Sequence, residues 1–443
     1  MTPFYEIGIN LAKNIHKISK AKLIIGGYHI TALPETLEKP FEIGILGERE
    51  EILTEIVKNY INKPDQEKVW LSETKGISYF DKNGKVKINQ RSSLVDVNKI
   101  PITDWSVFDK ERIVQTINMP VNGNFKPKKV GIIYTSRGCP YSCSFCAHRI
   151  MQNNIRGVRY FPIERVLKEI KILYEKYKVE CLMVYDDTFV SSKARIKQLI
   201  EGLKKYNLLG KICFFNLFTR ANLVDKELVE LLKELNTSTV FIGIESGSEK
   251  ILKSLKDGPI GLPNMKRSIK LLAKEKIYVT GSFMIFSPSE KKEDLNKSVK
   301  LAKWFCNQRN AYSLSYSITT PYPGTTMWDD LIKKHKKTNH DWSDFVMFYA
   351  FDRKKMPKIF FPPKDVSKKE TKEYWLRFGE LQSYLNQKNI KIEESKIHQK
   401  EFVDRINRFI KNPKKTFLKT IKNKSIVGYI LEDIKIMIKA KLS

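Results

Sequence analysis

The feature that most constrains the fold is a regular alternation of strand-like and helix-like segments across the middle of the chain. Short runs rich in branched and aromatic residues alternate there with amphipathic stretches. The predicted strands cover residues 130–136, 181–187, 213–219, 239–244, 278–286 and 313–319, and the predicted helices cover 163–177, 194–206, 226–235, 265–274 and 295–307. Such alternation predicts parallel strands joined by helices, and six units predict an α/β fold of the parallel (β/α)6-type, a partial TIM barrel.

Weaker patterns flank this barrel. Residues 1–62 show a helical pattern, a strand over 22–26, another over 43–46 and a helix that opens at Glu48. These few elements predict only a partial Rossmann-like α/β domain, because a doubly wound sheet needs several strands. Residues 63–127 predict a hairpin and an extended linker, 128–350 the barrel, and 351–443 a basic helical C-terminal region.

Composition favours a globular protein of a reducing compartment. Hydrophobic residues make up 42% of the 443 residues, which is ample for a buried core. No apolar run reaches the ~18 residues of a membrane span, and the first thirty residues are too polar for a signal peptide. Three of the six cysteines fall within eight residues, unlike the disulfide framework of a secreted domain. We therefore expect a cytoplasmic protein.

The net charge of +31 at pH 7 has two interpretations. It favours an acidic partner, such as anionic lipid, nucleic acid or an acidic small molecule, or it reflects solvated lysine faces. Residues 351–443 carry 24 Lys and Arg against 11 Asp and Glu. An apolar stripe at helical spacing in this region either lies on an anionic membrane or packs on the barrel; it comprises Ile426, Ile430, Ile434, Met437 and Ile438.

Three cysteines directly follow the first predicted barrel strand, in the run "SRGCPYSCSFCAH". Cys139, Cys143 and Cys146 have the spacing C-x-x-x-C-x-x-C, with no fourth cysteine nearby. A structural zinc site needs four ligands, for which His148 is the nearest further candidate, and a catalytic thiol needs only one cysteine. Three thiolates favour an iron-sulfur cluster that keeps one iron free of protein ligands. In barrels of this kind the chemistry lies at the carboxyl ends of the strands.

The cysteine spacing, with the aromatic Phe145 before the last cysteine, resembles the radical S-adenosylmethionine (radical SAM) superfamily over residues 128–328. The resemblance implies a 4Fe-4S cluster whose open iron binds S-adenosylmethionine (SAM) and whose electron cleaves it to a 5'-deoxyadenosyl radical. It also implies that Phe145 lies at the cofactor. A reducing electron donor of the flavodoxin or ferredoxin type is the implied protein partner.

The resemblance also assigns SAM contacts at the other strand ends. Asp186 and Asp187, in "VYDDTF", would hold the methionine ammonium, although many members have Gly-Gly-Glu there and a helix cap is the alternative. Arg220 would bind the SAM carboxylate or form a salt bridge. Glu245 and Ser246 would reach the ribose hydroxyls.

Two glycines of a family run are replaced at the end of the fifth strand. The run Gly-x-Pro-Gly-Glu of the superfamily corresponds here to "FSPSE", in which Phe286 and Ser289 stand at the glycine positions. We expect these side chains to fill space near the adenine.

The N-terminal runs "LIIGGYHITALPETL" and "EIGILGEREEIL", together with "TTPYPGTTMWD", resemble the superfamily branch that carries a cobalamin-binding domain. Gly26, Gly27 and Thr31 would lie against the corrinoid. The first half of that domain has no counterpart, and neither does the run Asp-x-His-x-x-Gly, so His29 is interpreted as structural. Three interpretations follow: another polypeptide completes the domain, Met1 is an artefact of gene assignment, or cobalamin is not bound.

The resemblance implies hydrogen abstraction from a small-molecule or lipid-like substrate. With cobalamin bound we expect a methyltransferase, and without it a cyclisation, oxidation or rearrangement. RNA modification is a weaker alternative, since methylthiolating relatives carry N-terminal cysteines and this chain has none before Cys139; nucleic acid is therefore not the expected partner. An inactive scaffold subunit and a peripheral membrane contact through the basic tail remain open.

Overall fold

A computed structural model describes residues 2–121, 124–335, 341–346 and 356–389. Its strands are β1 (Leu23–Gly26), β2 (Phe41–Ile45), β3 (Ile77–Phe80), β4 (Val86–Ile88), β5 (Gln115–Val121), β6 (Asn124–Ile133), β7 (Ser136–Arg137), β8 (Arg159–Tyr160), β9 (Cys181–Val184), β10 (Cys213–Phe215), β11 (Leu217–Thr219), β12 (Thr239–Glu245), β13 (Tyr278–Ile285) and β14 (Ala311–Ile318). Its α-helices are α1 (Tyr5–His16), α2 (Tyr28–Ala32), α3 (Glu50–Asn62), α4 (Glu67–Glu73), α5 (Lys110–Ile113), α6 (His148–Met151), α7 (Ile163–Glu175), α8 (Lys193–Lys205), α9 (Lys226–Glu234), α10 (Glu249–Leu255), α11 (Leu262–Lys274), α12 (Lys292–Cys306), α13 (Thr326–His335) and α14 (Lys368–Asn389).

Two sheets form the partial barrel, in the orders β10-β9-β6-β5 and β11-β12-β13-β14. All neighbours within them pair in parallel except β5, which pairs antiparallel with β6. β10 and β11 are the two halves of one strand, interrupted at Asn216, whose φ is 57°. The six predicted parallel strands and the partial-barrel fold are confirmed. The additional strand β5 had no clear alternation in the sequence.

The outer face of the barrel packs on its helices. On β12, Val240, Ile242 and Ile244 alternate outward into a large hydrophobic core shared with α7–α12. Helix starts are fixed by side chains that accept hydrogen bonds from the first turn. The Ser192 hydroxyl accepts from the Arg195 N–H before α8, and the Asp225 carboxylate accepts from the Leu228 N–H before α9.

A separate apolar cluster closes the amino-terminal end of the barrel interior. It joins Met119 of β5 to inward residues of β6, β10 and β14, among them Phe215 and Tyr312. Cys181 and Cys213 lie in this floor as paired positions on β9 and β10, with Cα atoms 4.4 Å apart, and form a disulfide. Thirty-two residues separate them along the chain, so only the strand register reveals the pairing.

The N-terminal unit is a four-stranded sheet in the order β1-β2-β3-β4. β1 and β2 are parallel, whereas the predicted hairpin β3–β4 adds antiparallel to β2. The hairpin therefore extends the first sheet, while β5 joins the barrel, so the predicted middle segment 63–127 is divided between the two. Ile43 and Ile77 pack with Ile56 of α3 and Trp70 of α4 in the core of this unit.

The C-terminal part that the structure describes packs on the barrel. Trp375 and Phe378 of α14 contact the Tyr316 ring of β14 at centroid distances of 4.6 and 5.7 Å. The apolar stripe predicted over 426–438 lies outside the described residues. In the part of the chain that is described, no helix combines the length and the apolar character needed to cross a membrane.

Candidate active site at the carboxyl end of the barrel

The cysteine loop follows β7 and is fixed by backbone hydrogen bonds to other strand-end segments. The Ser144 N–H donates to the Leu255 carbonyl at 2.9 Å, and the Met327 N–H donates to the Ser144 carbonyl at 3.2 Å. Gly138 begins the loop with a φ of 101°, and a Cβ there would lie 2.3 Å from the Gly157 carbonyl oxygen. The position therefore requires glycine, and the loop is held in one place above the barrel.

The three loop thiols are half-buried and close enough to affect one another. Burial raises the pKa of Cys146 to about 12, and the charges of Cys143 and Cys139 add to the effect. The pKa of Cys139 is also raised, first by burial, although a hydroxyl of Thr188 lies 3.0 Å from its sulfur. Three thiolates here need a positively charged group between them, which the irons of a cluster supply.

This arrangement fits a cluster and differs from a site for one ion. Among the described residues, no three His, Cys, Asp or Glu side chains surround a single metal-ion position. In a 4Fe-4S cluster each thiolate binds a different iron, so the three sulfurs need not converge on one point.

Asp187 is the acidic residue of the pair that faces the cysteine loop. Its carboxylate accepts from the Gly138 N–H at 3.1 Å and lies 2.9 Å from Nδ1 of His148. Its charge contributes to the raised pKa values of Cys139 and Cys146. About a third of the side chain is exposed, so the carboxylate also has access to a ligand.

Asp186 has a structural role within the fold. It is buried, and its carboxylate accepts hydrogen bonds from the backbone N–H and hydroxyl groups of both Thr135 and Ser136. Burial raises its pKa, and these four bonds oppose the shift. Because its acceptor positions are used within the fold, Asp186 is less suited than Asp187 to hold the methionine ammonium, and its assignment stays a prediction. It joins the end of β9 to the chain that leaves β6.

Arg220 lies at the end of β11 with part of its guanidinium unpaired. The side chain is buried, stacks 3.7 Å above the Tyr141 ring of the cysteine loop, and donates through Nη2 to the Asp257 carbonyl. Nε and Nη1 are buried and have no hydrogen-bond partner among the described residues. Unpaired buried donors are costly, so this guanidinium is suited to a carboxylate ligand.

Glu245 ends β12 in the left-handed region, with a φ of 60°. Its Oε1 lies 3.0 Å from Nζ of Lys256, and both side chains are more than 90% buried. Lys256 also donates to the Gly243 carbonyl, at a position where only glycine leaves space for the ion pair. A strained backbone and a buried ion pair at a strand end are typical of functional sites.

Ser246 does not extend toward the open end of the barrel. It is fully buried, its hydroxyl lies 3.1 Å from that of Ser298, and it accepts from the Ser248 N–H. The hydroxyl joins β12 to α12, so the ribose contact of Ser246 stays a prediction that these hydrogen bonds do not support. Phe145 likewise packs against the side chains of Ile251 and Leu255 on α10.

The run that ends β13 explains why the superfamily has glycines there. Phe286 and Ser289 have φ values of 59° and 61°, which are left-handed conformations that favour glycine. The Phe286 side chain is fully buried in the outer core. It therefore does not fill the interior in the way that the sequence suggested.

The predicted corrinoid contacts are only partly available. Gly27 has a φ of 114°, and a Cβ there would meet nothing within 4 Å. A Cβ on Gly26 would meet the Arg49 side chain at 2.8 Å. Thr31 is fully buried and accepts from the Gly47 N–H at 2.9 Å, so its corrinoid contact stays a prediction that this placement does not support. His29 is buried, stacked on Tyr5, and burial lowers its pKa to about 3.

Several contributing residues had no signal in the sequence. Lys256 and Asp257 lie just after α10, and nothing in their spacing points to the cysteine loop. The structure brings Asp257 to the Ser142 N–H at 3.0 Å and to Arg156 at 3.3 Å. A pairing of this kind across more than a hundred residues depends on the order of the strands, which single-sequence patterns do not encode.

A partial barrel with three cysteines on the loop after its first parallel strand defines an iron-sulfur enzyme that works at the carboxyl ends of its strands. The sequence profile of the radical SAM superfamily matches residues 133–302. This stretch, which holds the cysteine triad and most of the barrel, is therefore a radical SAM domain, as the cysteine spacing predicted.

Two curated relatives and a solved structure extend this result. An uncharacterised methyltransferase of Pyrococcus horikoshii is 27% identical over 340 residues, which are 76% of this chain and 68% of the relative. The anaerobic magnesium-protoporphyrin IX monomethyl ester cyclase of Cereibacter sphaeroides is 24% identical over 336 residues, which are 74% of this chain and 51% of the relative. The chain thus spans about half of one relative and just over two thirds of the other.

The solved structure is the radical SAM methyltransferase TsrM of Kitasatospora setae, with cobalamin and a 4Fe-4S cluster bound. It is similar to this chain with a TM-score of 0.61 and 16% identity, over 88% of this chain and 76% of that chain. At this identity the likeness shows the fold, including the unit that precedes the barrel. The neighbour belongs to the cobalamin-dependent branch that the N-terminal runs resembled.

Proposed function

We propose that this protein is a SAM-cleaving radical enzyme that methylates an unactivated carbon of a small molecule. The deoxyadenosyl radical would take the hydrogen atom from that carbon, and the methyl group that replaces it would come from a second SAM through cobalamin, where cobalamin is bound. The observation that supports this most strongly is the position of three half-buried thiols on one loop, beside an unpaired guanidinium and an accessible carboxylate. When bound by Cys139, Cys143 and Cys146, a 4Fe-4S cluster supplies the electron that cleaves SAM into methionine and a 5'-deoxyadenosyl radical.

The chain's own residues position SAM. The free N–H groups of Arg220 bind its carboxylate, and the rigid stack on Tyr141 limits the entropy lost on binding. Asp187, held beside Gly138 and His148, attracts the ammonium. Glu245, fixed by Lys256, accepts from the ribose hydroxyls.

A second candidate reaction is a cobalamin-free cyclisation or oxidation. It is favoured by the N-terminal unit, where Thr31 is buried and only Gly27 of the three predicted corrinoid contacts faces open space. One relative is a methyltransferase and another a cyclase, so the superfamily context allows both reactions. We place either reaction in the cytoplasm, with an acidic flavodoxin or ferredoxin as electron donor.

The test is anaerobic reconstitution with iron and sulfide, followed by addition of SAM and dithionite. We expect 5'-deoxyadenosine, measured by chromatography, from the wild type and none above background from Cys143→Ala. Arg220→Lys should raise the KM for SAM by about tenfold, because a point charge replaces a planar fork of donors.

Hydroxocobalamin in a parallel reaction separates the two candidates. Retained corrinoid, measured by absorbance after gel filtration, supports methyl transfer, whereas deoxyadenosine without retained corrinoid supports the cyclisation. If wild type and Cys143→Ala give the same amount of deoxyadenosine, both candidates fail and the scaffold interpretation replaces them.

A further inference from the structure

The interior of the barrel has a lining that the cofactor site does not use. On β14, Leu314, Tyr316 and Ile318 point outward into the helix-packed core, so Ser313, Ser315 and Ser317 point inward. These three serines are half-buried, which means that the interior beside them is open enough to leave their surface accessible. They follow one another at roughly 6.6 Å along the strand.

The neighbouring strands extend this hydroxyl wall and add an aromatic one. Ser282 of β13 is half-buried and pairs in register with Ser315, so its side chain shares the inner face. Phe218 of β11 and Phe241 of β12 are register partners, both half-buried, with ring centroids 4.7 Å apart. One wall therefore offers aromatic surface and the adjacent wall offers hydroxyl groups.

The four serine hydroxyls are available to a ligand. Those of Ser282, Ser313, Ser315 and Ser317 make no hydrogen bond to any other described residue, unlike Ser246 and Ser298, which bond to each other. Accessible hydroxyls along a concave surface can bind a guest without first breaking bonds within the protein.

The described lining is also uncharged. Between the apolar floor and the level of Arg220 and Glu245, the inward positions described on β6, β9 and β11–β14 carry only neutral side chains. A charged group that entered this space would lose its hydration without gaining a counter-charge, which is strongly unfavourable.

We propose that the barrel interior binds the substrate through a neutral ring that packs on Phe218 and Phe241 and hydrogen-bonds along its edge to the serines of β13 and β14. This inference rests on the proposed function, because it places the ring directly below the cofactor site. Charged substituents of the substrate remain outside this neutral space, above the level of Arg220 and Glu245, where they keep their hydration. Ser315, at the middle of the hydroxyl wall, is the main determinant of specificity.

Benzamide and benzoate are suitable probes, because they have the same size and shape and differ in charge. Equilibrium dialysis against the reconstituted full-length protein with SAM present measures both affinities, with the probes quantified by chromatography. We expect benzamide to bind about tenfold or more tightly than benzoate. Ser315→Ala should weaken the binding of benzamide roughly three- to tenfold and leave the binding of benzoate unchanged.

Ser72→Ala is the matched control, since this serine lies on the exposed side of α4 and bonds only within its helix. Circular dichroism establishes that each variant is folded, and Ser313→Ala replaces Ser315→Ala if the latter unfolds. Equal binding of the two probes, absence of benzamide binding, or equal effects of the lining and control variants would overturn the proposal.

The same samples separate this inference from the proposed function. Deoxyadenosine production with unselective probe binding would leave the radical chemistry in place and remove the neutral-ring site. Selective benzamide binding without deoxyadenosine production would leave the neutral-ring site in place and remove the radical chemistry.

Discussion

Asp186 and Asp187 are adjacent in sequence, yet the fold gives them opposite roles. The strand direction turns one carboxylate into the protein, where four donors from Thr135 and Ser136 surround it, and leaves the other at the cysteine loop. Carboxylates that accept several hydrogen bonds in a buried place contribute to stability, whereas half-exposed ones contribute more to binding.

Matched substitutions test this division. Asp186→Asn replaces one acceptor oxygen by a donor facing other donors, so we expect a loss of about 2–4 kcal/mol in unfolding free energy. Asp187→Asn should leave the melting temperature within a few degrees and weaken SAM binding. Calorimetry and equilibrium dialysis with SAM measure the two effects. Stable Asp186→Asn protein with impaired SAM binding would support the ammonium assignment of Asp186 instead.

Glu290, in the run that ends β13, is a second acidic residue whose behaviour depends on its burial. It is buried, its carboxyl accepts from the Ser287 N–H at 2.9 Å, and burial raises its pKa from 4.5 to about 8. The folded protein therefore retains the proton at pH values where the unfolded chain has lost it. The stability that Glu290 contributes through its protonated form is fully present below about pH 4.5. It is lost progressively as the pH rises to about 8.

The variant Glu290→Gln removes this titration and keeps an oxygen acceptor for Ser287. At pH 8.5 we expect the unfolding free energy of the variant to exceed that of the wild type by about 2 kcal/mol. At pH 4.5 we expect it to be equal or slightly lower. Thermal unfolding across this pH range measures the difference. A constant difference at all pH values would show that Glu290 does not titrate in this way.

At the scale of elements, one buried carboxylate joins the N-terminal unit to the barrel. Glu48 follows β2 and accepts from Nη1 of Arg159 at 3.0 Å and from the Val95 N–H at 2.9 Å. Arg137, just before the cysteine loop, lies 3.4 Å away. The Glu48 side chain is only 7% exposed, so this anion is enclosed beside two cations, of which Arg137 also pairs with Glu50. Removing that anion leaves the Arg159 guanidinium without an ion pair among the described residues, whereas Arg137 keeps its pair with Glu50.

We expect Glu48→Gln to lower the unfolding free energy by about 2 kcal/mol, at the low end for a buried pair because both arginines are partly exposed. Hydrogen exchange should quicken in β1 and α3 more than in α7 and α8. Glu38→Gln is the control, since Glu38 is 54% exposed in its pair with Lys13 and its loss should cost under about 0.5 kcal/mol. Uniform acceleration of exchange would contradict a local effect of this contact on the N-terminal unit.

At the scale of the whole molecule, the net charge of +31 affects association more than folding. A strongly basic protein attracts acidic partners from a distance, and salt screens this attraction. An acidic electron carrier is therefore expected to find the protein quickly at low ionic strength.

Stopped-flow reduction of the reconstituted cluster measures this effect. With reduced flavodoxin we expect the second-order rate to fall about tenfold between about 50 and about 300 mM NaCl. With the methyl viologen radical cation the rate should stay level or rise, because repulsion is screened instead. A salt-independent flavodoxin rate would exclude electrostatic steering.

The sequence by itself determined the order of strands and helices, the partial barrel and the cysteine triad. These depend on hydrophobic periodicity and on close spacing, both of which are local properties that the chain carries without its fold. The strand bounds agreed to within a few residues, as Cys181–Val184 and Ala311–Ile318 illustrate.

Only the tertiary structure decided which polar residues face the site. A strand end turns one carboxylate inward and its neighbour outward, and the parallel register pairs Ser282 with Ser315 and Cys181 with Cys213 across long stretches of chain. Lys256 reaches Glu245 because α10 lies between them and brings the chain back to the end of β12. Such contacts depend on strand register and on competition among nearby donors for each acceptor, and neither is set by the residues next to them in sequence.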